Sequence, residues 1–338
     1  MPHNILDHSK NTFSLIIQDS ETGRVWNAGE LVEQVTWTTT RLASQPGTLE
    51  VLLAQEPQNR DFRIPAGSFV TFGVNGTDYF YGRVQEIEQA NDGTRTGYTL
   101  LAYDSLILLK AHESIAREDM TASQFFTSIT TRFADRGLRG VVREADAVTL
   151  DRYYFINESL YSMLLETLGA AHIAQNQQFM IRDNLGTLEF RSLLALRKPL
   201  ILGDESFVDT YTYGVTINNQ TYNVIRVIRD DEELGTRDVW QVYDSDNIRR
   251  WGHKQLVVEA DADMTDGGIR EKAMLHLRAL NRSRRTLKLT AIGINGLQAG
   301  DGIRAQLDNA NIDHNIWIEE ISHIYTPETH VCDMELLL

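Results

Sequence analysis

Phe69-Val70-Thr71-Phe72-Gly73-Val74, then Asn75-Gly76, then Tyr79-Phe80-Tyr81-Gly82-Arg83-Val84 is the stretch that decides the fold. Asn-Gly supplies the two positive-φ residues of a tight turn whose twist matches that of the strands on either side. Aromatic and β-branched residues dominate both flanks, so the stretch is expected to be a β-hairpin. Outside it, Thr12 to Gln18, Leu31 to Arg41 and Gly47 to Gln55 carry apolar residues at alternate positions, as in Leu49, Val51 and Leu53, and turn one face toward a core. A strand from Tyr98 to Leu106 closes this first segment.

The same design returns near the end of the chain. The first copy reads Ala66-Gly67, a strand, Asn75-Gly76, Val84-Gln85-Glu86-Ile87 and a strand at Tyr98; the second reads Ala299-Gly300, a strand, Asp308-Asn309, Ile318-Glu319-Glu320-Ile321 and a strand at His330. Gly67 to Ile87 spans 20 positions and Gly300 to Ile321 spans 21, so the order and spacing of the elements repeat. Three such chains in a closed ring would place six related domains around one axis.

Between the copies the pattern changes. Thr121-Ala-Ser-Gln124 is a capping box ahead of Phe125, Phe126, Ile129 and Phe133, which fall on one helical face, and Gly137 stands where that helix would stop. A second helix is expected from a cap at Asn157 or Ser159, with Leu160, Met163, Leu164 and Leu168 on one side and Gly169 after the stripe. A hairpin follows, Phe179 to Arg182 and Thr187 to Arg191 around Asp183-Asn-Leu-Gly186. From Phe207 the pattern is again β, near Tyr213 to Ile217, Tyr222 to Arg229, Arg237 to Tyr243, Thr286 to Ile292, Gly302 to Leu307, Asn315 to Tyr325 and His330 to Leu338, with one helix at about 266–281. The expected fold class is therefore mainly β with an α+β insert: tube-like β-barrel or sandwich domains at 1–105 and 205–338 flank a smaller α+β domain at 106–204.

With 42% hydrophobic and 23% charged residues the chain has an ordinary globular composition. Its 32 Lys+Arg against 47 Asp+Glu give a net charge of −15, which repels phosphate backbones and disfavours stable nucleic-acid binding. No stretch approaches the ~20 apolar residues of a membrane span, and the polar Met1 to Lys10 does not resemble a signal peptide. The lone Cys332 cannot make an internal disulfide, which fits synthesis in a reducing cytoplasm.

The sequence carries none of the common catalytic motifs. There is no phosphate-cradling glycine loop with Lys-Ser/Thr, no Gly-x-Ser-x-Gly elbow, and His112-Glu113 lacks the second histidine of a zinc-protease helix. Asp261, Asp263 and Asp266-Gly267 suggest a calcium loop, but Gly267 is one place late and Lys272 stands where the bidentate Glu belongs; a helix N-terminus is the reading preferred. His323, His330 and Cys332 are close in sequence across Thr326-Pro327, yet they lack a fourth ligand and Cys332 alternates with Met334 and Leu336, so packing is expected, with no metal and no cofactor. Trp37, Trp240, Trp251 and Trp317 are expected to pack in cores or subunit interfaces, not to stack on sugars.

Several strings resemble the baseplate hub proteins of phage tails and tail-like particles, especially the hubs of Gram-positive prophages and those similar to late control protein D. They are Tyr79-Phe-Tyr-Gly82-Arg-Val84, Ala102-Tyr103-Asp104-Ser-Leu106, Leu109-Lys110, Tyr222-Asn223, Tyr243-Asp244-Ser-Asp-Asn247 with Trp251-Gly252, Leu280-Asn-Arg282 with Arg285-Thr286-Leu287, Ala299-Gly300, His323 and His330. Ser68 departs from the aspartate that many relatives carry after Ala-Gly, whereas Asp301 keeps it in the second copy.

The resemblance implies a non-enzymatic homotrimer in the virion or particle baseplate, with family-motif positions Gly67, Asn75, Gly76, Gly82, Tyr103, Asp104, Tyr222, Asn223, Asp244, Trp251, Gly252, Arg282, Arg285, Gly300, His323 and His330. Its two tube-like domains would build a pseudo-hexameric ring joining the hexameric tail tube to the trimeric central spike. The partners implied are the tail tube or tube initiator, the central spike, the baseplate wedge proteins and the tape-measure protein. An acidic lumen would let DNA pass without gripping it. The alternatives are a tail-associated peptidoglycan hydrolase, which would need an added carboxylate or nucleophile module, and a hexameric tube or adaptor subunit, which would need only one β domain.

Overall fold

The computed structural model describes residues 10–41, 45–54, 64–91, 96–204, 206–218, 221–231, 236–260 and 264–337. The first segment forms β1 (Phe13–Gln18), β2 (Val25–Asn27), β3 (Val32–Thr40), β4 (Thr48–Ala54), β5 (Phe69–Val74), β6 (Thr77–Asn91) and β7 (Thr96–Tyr103). Asn75 and Gly76 have φ of 51° and 80°, the two left-handed residues that close the β5–β6 hairpin. Alternation gives the strands their buried face: Leu49, Val51 and Leu53 of β4 are almost solvent-free, and they pack with Leu15, Val35 and Phe72 in one core that also takes in Tyr325. Each such side chain contributes about 1.5–3 kcal/mol by leaving water.

The middle segment holds β8 (His112–Arg117), α1 (Ala122–Arg132), β9 (Gly140–Val142), β10 (Tyr153–Ser159), α2 (Leu160–Gln175), β11 (Phe179–Asn184) and β12 (Thr187–Ser192). The capping box forms as expected: Gln124 N donates to Thr121 Oγ1 at 3.2 Å and Thr121 N to Gln124 Oε1 at 2.9 Å. Of the two caps considered for α2, Ser159 is the one used, accepting from Ser162 N at 3.0 Å. Gly169 does not end that helix. It continues to Gln175 because Ala171 beyond the glycine is fully buried, and Asn176, at φ 52°, makes the left-handed stop instead. Phe125, Phe126, Leu160, Leu164 and Phe190 centre a second, separate core.

The rest of the chain forms β13 (Arg197–Gly203), β14 (Val208–Thr216), β15 (Val224–Asp231), β16 (Thr236–Tyr243), α3 (Ser245–Trp251), β17 (Gln255–Glu259), α4 (Asp266–Leu280), β18 (Arg284–Ile292), β19 (Gly302–Leu307), β20 (Ile312–Tyr325) and β21 (His330–Leu337). One sheet of 13 strands runs β14-β18-β21-β20-β3-β4-β7-β6-β5-β1-β2, with β19 pairing β20 and β13 off this path. It is an open path, so a mainly β fold with an α+β insert is present and no closed barrel forms among the described residues.

The chain divides into two compact units, one broken after Thr212 and resumed at Lys288, the other Tyr213–Leu287. In the second unit β15 pairs antiparallel with β16 and parallel with β17, and Ile269 and Ala273 of α4 bury against Ile225 and Val227. The helix expected at about 266–281 is α4. The calcium-loop residues Asp261 and Asp263 lie outside the described residues, while Thr265 caps α4 by accepting from Gly268 N at 3.2 Å.

Candidate functional site: paired strand modules

The two copies seen in the sequence fold alike. Gly67 and Gly300 have φ of 85° and 86°. Gly67 N donates to Val84 O at 2.8 Å and Gly300 N to Ile318 O at 2.8 Å; in return Val84 N donates to Ser68 O at 2.9 Å and Ile318 N to Asp301 O at 3.0 Å. Both turns close with the same bond, Ser68 N to Pro65 O and Asp301 N to Gln298 O. The strand order β3-β4-β7-β6-β5 of the first module is matched by β14-β18-β21-β20-β19 of the second. The hairpin tips differ: Asn75-Gly76 makes a two-residue turn, whereas Asp308–Ala310 forms a short 3-10 turn ended by Asn311 at φ 51°.

The modules are joined edge to edge. Residues Glu320 to Tyr325 of β20 pair antiparallel with Thr40 to Val35 of β3, and Arg41 and Glu319 close one end of the seam at 2.6 Å with both side chains mostly buried. The equivalent half of β6, Glu86 to Asn91, pairs with β7 on one edge only, and among the described residues no strand covers its other edge. β14, the counterpart of β3, is the terminal strand of the path.

The exchange of Ser68 for aspartate at the second copy has a local cause. Asp301, fully buried, accepts from Arg182 Nη1 at 3.0 Å and Gln298 N at 3.1 Å and lies 3.6 Å from Lys198 Nζ. Ser68, also fully buried, stays neutral and donates its hydroxyl to Pro65 O at 2.7 Å within its own turn. Burial still holds Asp301 above the ordinary carboxylate range, against the pull of Arg182 and Lys198.

Gly82 lies where β6 meets β7, since a β-carbon there would run into the Tyr103 carbonyl and the Phe80 ring. Tyr103 pairs with Thr48 and Arg83 across the same ladder. Asp104, buried, caps the 3-10 turn Ser105–Lys110, accepting from Leu106 N at 2.9 Å and from Gly47 N at 3.0 Å. Burial, followed by the nearby Asp183, raises its carboxyl well above the usual range.

The motif positions of the inserted unit converge on one polar knot. Asn223, fully buried, donates from Nδ2 to Gly252 O at 2.7 Å and accepts from Lys254 N at 2.9 Å. Asp244 caps α3, accepting from Asp246 N and Asn247 N, and takes Asn281 Nδ2 at 2.7 Å from the end of α4. Tyr222 N donates to Leu280 O and Thr221 Oγ1 to Arg282 O, which ties the start of β15 to the end of α4. Trp251 is the half-buried last residue of α3, Gly252 turns the chain at φ 79°, and Arg285 is exposed on β18. The knot joins backbone ends to one another and leaves no nucleophile paired with a base.

His323 and His330 are buried with Cys332 on β20 and β21. Nδ1 of His323 lies 3.0 Å from Nε2 of His330, and Sγ of Cys332 lies 3.2 and 3.3 Å from the same two nitrogens. Nε2 of His323 contacts the Leu297 carbonyl at 2.8 Å, and the Trp37 ring stacks on His323 at 4.9 Å. Burial lowers His323 to about 4, burial and then His323 lower His330 to about 3, and burial raises the Cys332 thiol to about 12. The remaining tryptophans also pack: Trp317 donates to Leu193 O at 3.2 Å, and Arg229 lies over Trp240 at 4.9 Å.

A sequence profile of the YQBQ-like family matches residues 35–337. The chain belongs to that family. No curated protein sequence matches it. Among solved structures, this YQBQ-like protein is similar to the 43 kDa tail protein of prophage MuSo2 from Shewanella oneidensis, with a TM-score of 0.71 at 12% identity over 96% of this chain and 98% of that one. It is also similar to the tail protein from Neisseria meningitidis MC58, with a TM-score of 0.71 at 11% identity over 96% of both chains. The prophage tail protein gp18 from Listeria monocytogenes EGD-e follows at 0.59 and 12% identity, over 96% of this chain and 94% of that one. The resemblance to phage tail proteins drawn from the strings is thereby borne out in the fold, which this chain shares with the prophage tail proteins above.

Proposed function

We propose that this YQBQ-like protein is the structural hub of a phage or phage-tail-like particle baseplate, a homotrimer forming a pseudo-hexameric ring between the hexameric tail tube and the trimeric central spike. The observation that carries the proposal is the pair of equivalent modules joined through β3 and β20 in one sheet. If the free half-edge of β6 in one copy takes β14 of the next, the junction inside the chain is repeated between chains, and three copies close with six like modules.

In this reading the modules at 1–105 and 205–338 are the tube-like domains and 106–204 is the middle domain. The partners are the tail tube or tube initiator, the spike, the wedge proteins and the tape-measure protein, and the place of action is the tail baseplate. The net charge of −15 suits a lumen through which DNA passes without being held. The role is architectural, since the polar groups that converge are spent on caps and strand ends.

The test is the mass of the full chain in solution and with spike protein, by native mass spectrometry. A trimer in either condition is expected. A stable hexamer would support a tube or adaptor subunit instead, and release of soluble fragments from peptidoglycan by the purified chain would support the hydrolase.

A further inference from the structure

We propose that His323, His330 and Cys332 form a buried site for one thiophilic d10 cation, Zn²⁺ or Cu⁺, held by Nδ1 of His323, Nε2 of His330 and Sγ of Cys332. The inference is independent of the hub reading and departs from the sequence-based expectation that these side chains only pack. It begins from the geometry: the three atoms form a nearly equilateral triangle with edges of 3.0, 3.2 and 3.3 Å.

Hydrogen bonding alone does not fill that triangle. Nε2 of His323 faces the Leu297 carbonyl at 2.8 Å, so it carries the proton and Nδ1 presents its one in-plane lone pair inward. The N–H of His330 and the S–H of Cys332 then compete for that single acceptor, although Cys332 also has the Ile294 carbonyl at 3.4 Å. One edge of the triangle stays a close approach without its own proton. A cation satisfies all three atoms at once.

The surroundings have the character of a metal site. A backbone carbonyl on the outer nitrogen of His323 fixes tautomer and ring orientation, as second-shell partners of metal-bound histidines do. The Trp37 ring stacked on His323 and the Tyr325 ring stacked on His330 at 4.0 Å hold both imidazoles in place. For tetrahedral coordination with M–N of ~2.0–2.1 Å and M–S of ~2.3 Å, ligand atoms stand ~3.3–3.6 Å apart, so the triangle needs to open by only a few tenths of an ångström. One thiolate with two imidazoles selects a soft or borderline ion over Ca²⁺ or Mg²⁺. On binding, the thiol loses its proton to solvent. Inward Nε2 on His330 requires its proton on Nδ1, an atom that is buried and without a hydrogen-bond partner among the described residues. Because all three side chains are buried, the ion enters as the chain folds.

The experiment refolds the full chain under reducing conditions with one equivalent of Co²⁺, a spectroscopic stand-in for Zn²⁺, and in a parallel arm with acetonitrile-stabilised Cu⁺. The expected result is about one equivalent retained after dialysis in at least one arm. For Co²⁺ it comes with a thiolate-to-metal absorption band. Cys332→Ser and His330→Phe, each checked for native circular dichroism, should lower retention at least ~10-fold. Natively folded full chain that retains less than about a tenth of an equivalent in both arms, or shows no thiolate band with Co²⁺ and no Cu⁺ retention, overturns the proposal. So does equal retention by a folded Cys332→Ser variant.

Discussion

At the scale of single residues the two modules provide an internal control. Gly67 and Gly300 share a left-handed φ, but a β-carbon at Gly67 would come no closer than 3.9 Å to a neighbour, while at Gly300 it would run into Met180. Gly67→Ala should therefore cost only the backbone term of about 1–2 kcal/mol. Gly300→Ala should cost that plus overpacking of about 1–3 kcal/mol, a difference that urea denaturation would read. Asn223→Ala strands the Gly252 carbonyl and the Lys254 amide in the polar knot and should cost about 1–3 kcal/mol by the same measurement. Burial raises Asp183 to about 6 from an ordinary 3.8. The folded state then holds the extra proton between those values, so this contribution to stability is full below pH 3.8 and is lost as pH rises through about 6. Asp183→Asn, which can still accept from Gly186 N, should flatten that part of the stability profile.

At the scale of elements, a proline in the free half of β6 discriminates. Amides alternate sides along a strand, so of Ile87→Pro and Glu88→Pro one removes a bond to β7 and the other touches only the uncovered edge. If the proposed trimer forms through that edge, the latter should leave a folded chain of monomer mass with an unchanged β signature. Elements with strong periodicity or explicit caps were legible: the β5–β6 hairpin from Asn75-Gly76 and α1 from its capping box. Others were not, among them β2, β8, β9, β10, β13, α3 and β17. Helix α3 has seven residues and no fully buried side chain, and of the five residues of β17 three are half-buried and two exposed, so neither carries a stripe. Tyr222-Asn223, Asp244 and Trp251-Gly252 could be read as strings, but their convergence on one knot depends on the close of α4 and became visible only in three dimensions. Likewise Glu189, on an inward position of β12, gives no local sign of its partner Arg143, which arrives from just after β9.

At the scale of the whole molecule, the chain that lies between β14 and β18 is a unit in its own right, whereas the counterpart strands β3 and β4 are joined by a few residues. Replacing residues 217–283 with an Asn-Gly turn should leave a β protein with a cooperative thermal transition, because its own cores around Val51 and Phe126 contain no residue of the deleted part. Loss of all cooperative melting would show that the insert is part of the same folding unit. The difference between the two connections bears on symmetry mismatch. Strand by strand the modules are near duplicates, but only every second one carries a large insertion between its outer strands. A closed assembly of three copies would thus present a uniform six-beat pattern to a neighbour reading backbone edges and a three-beat pattern to one reading the insertions.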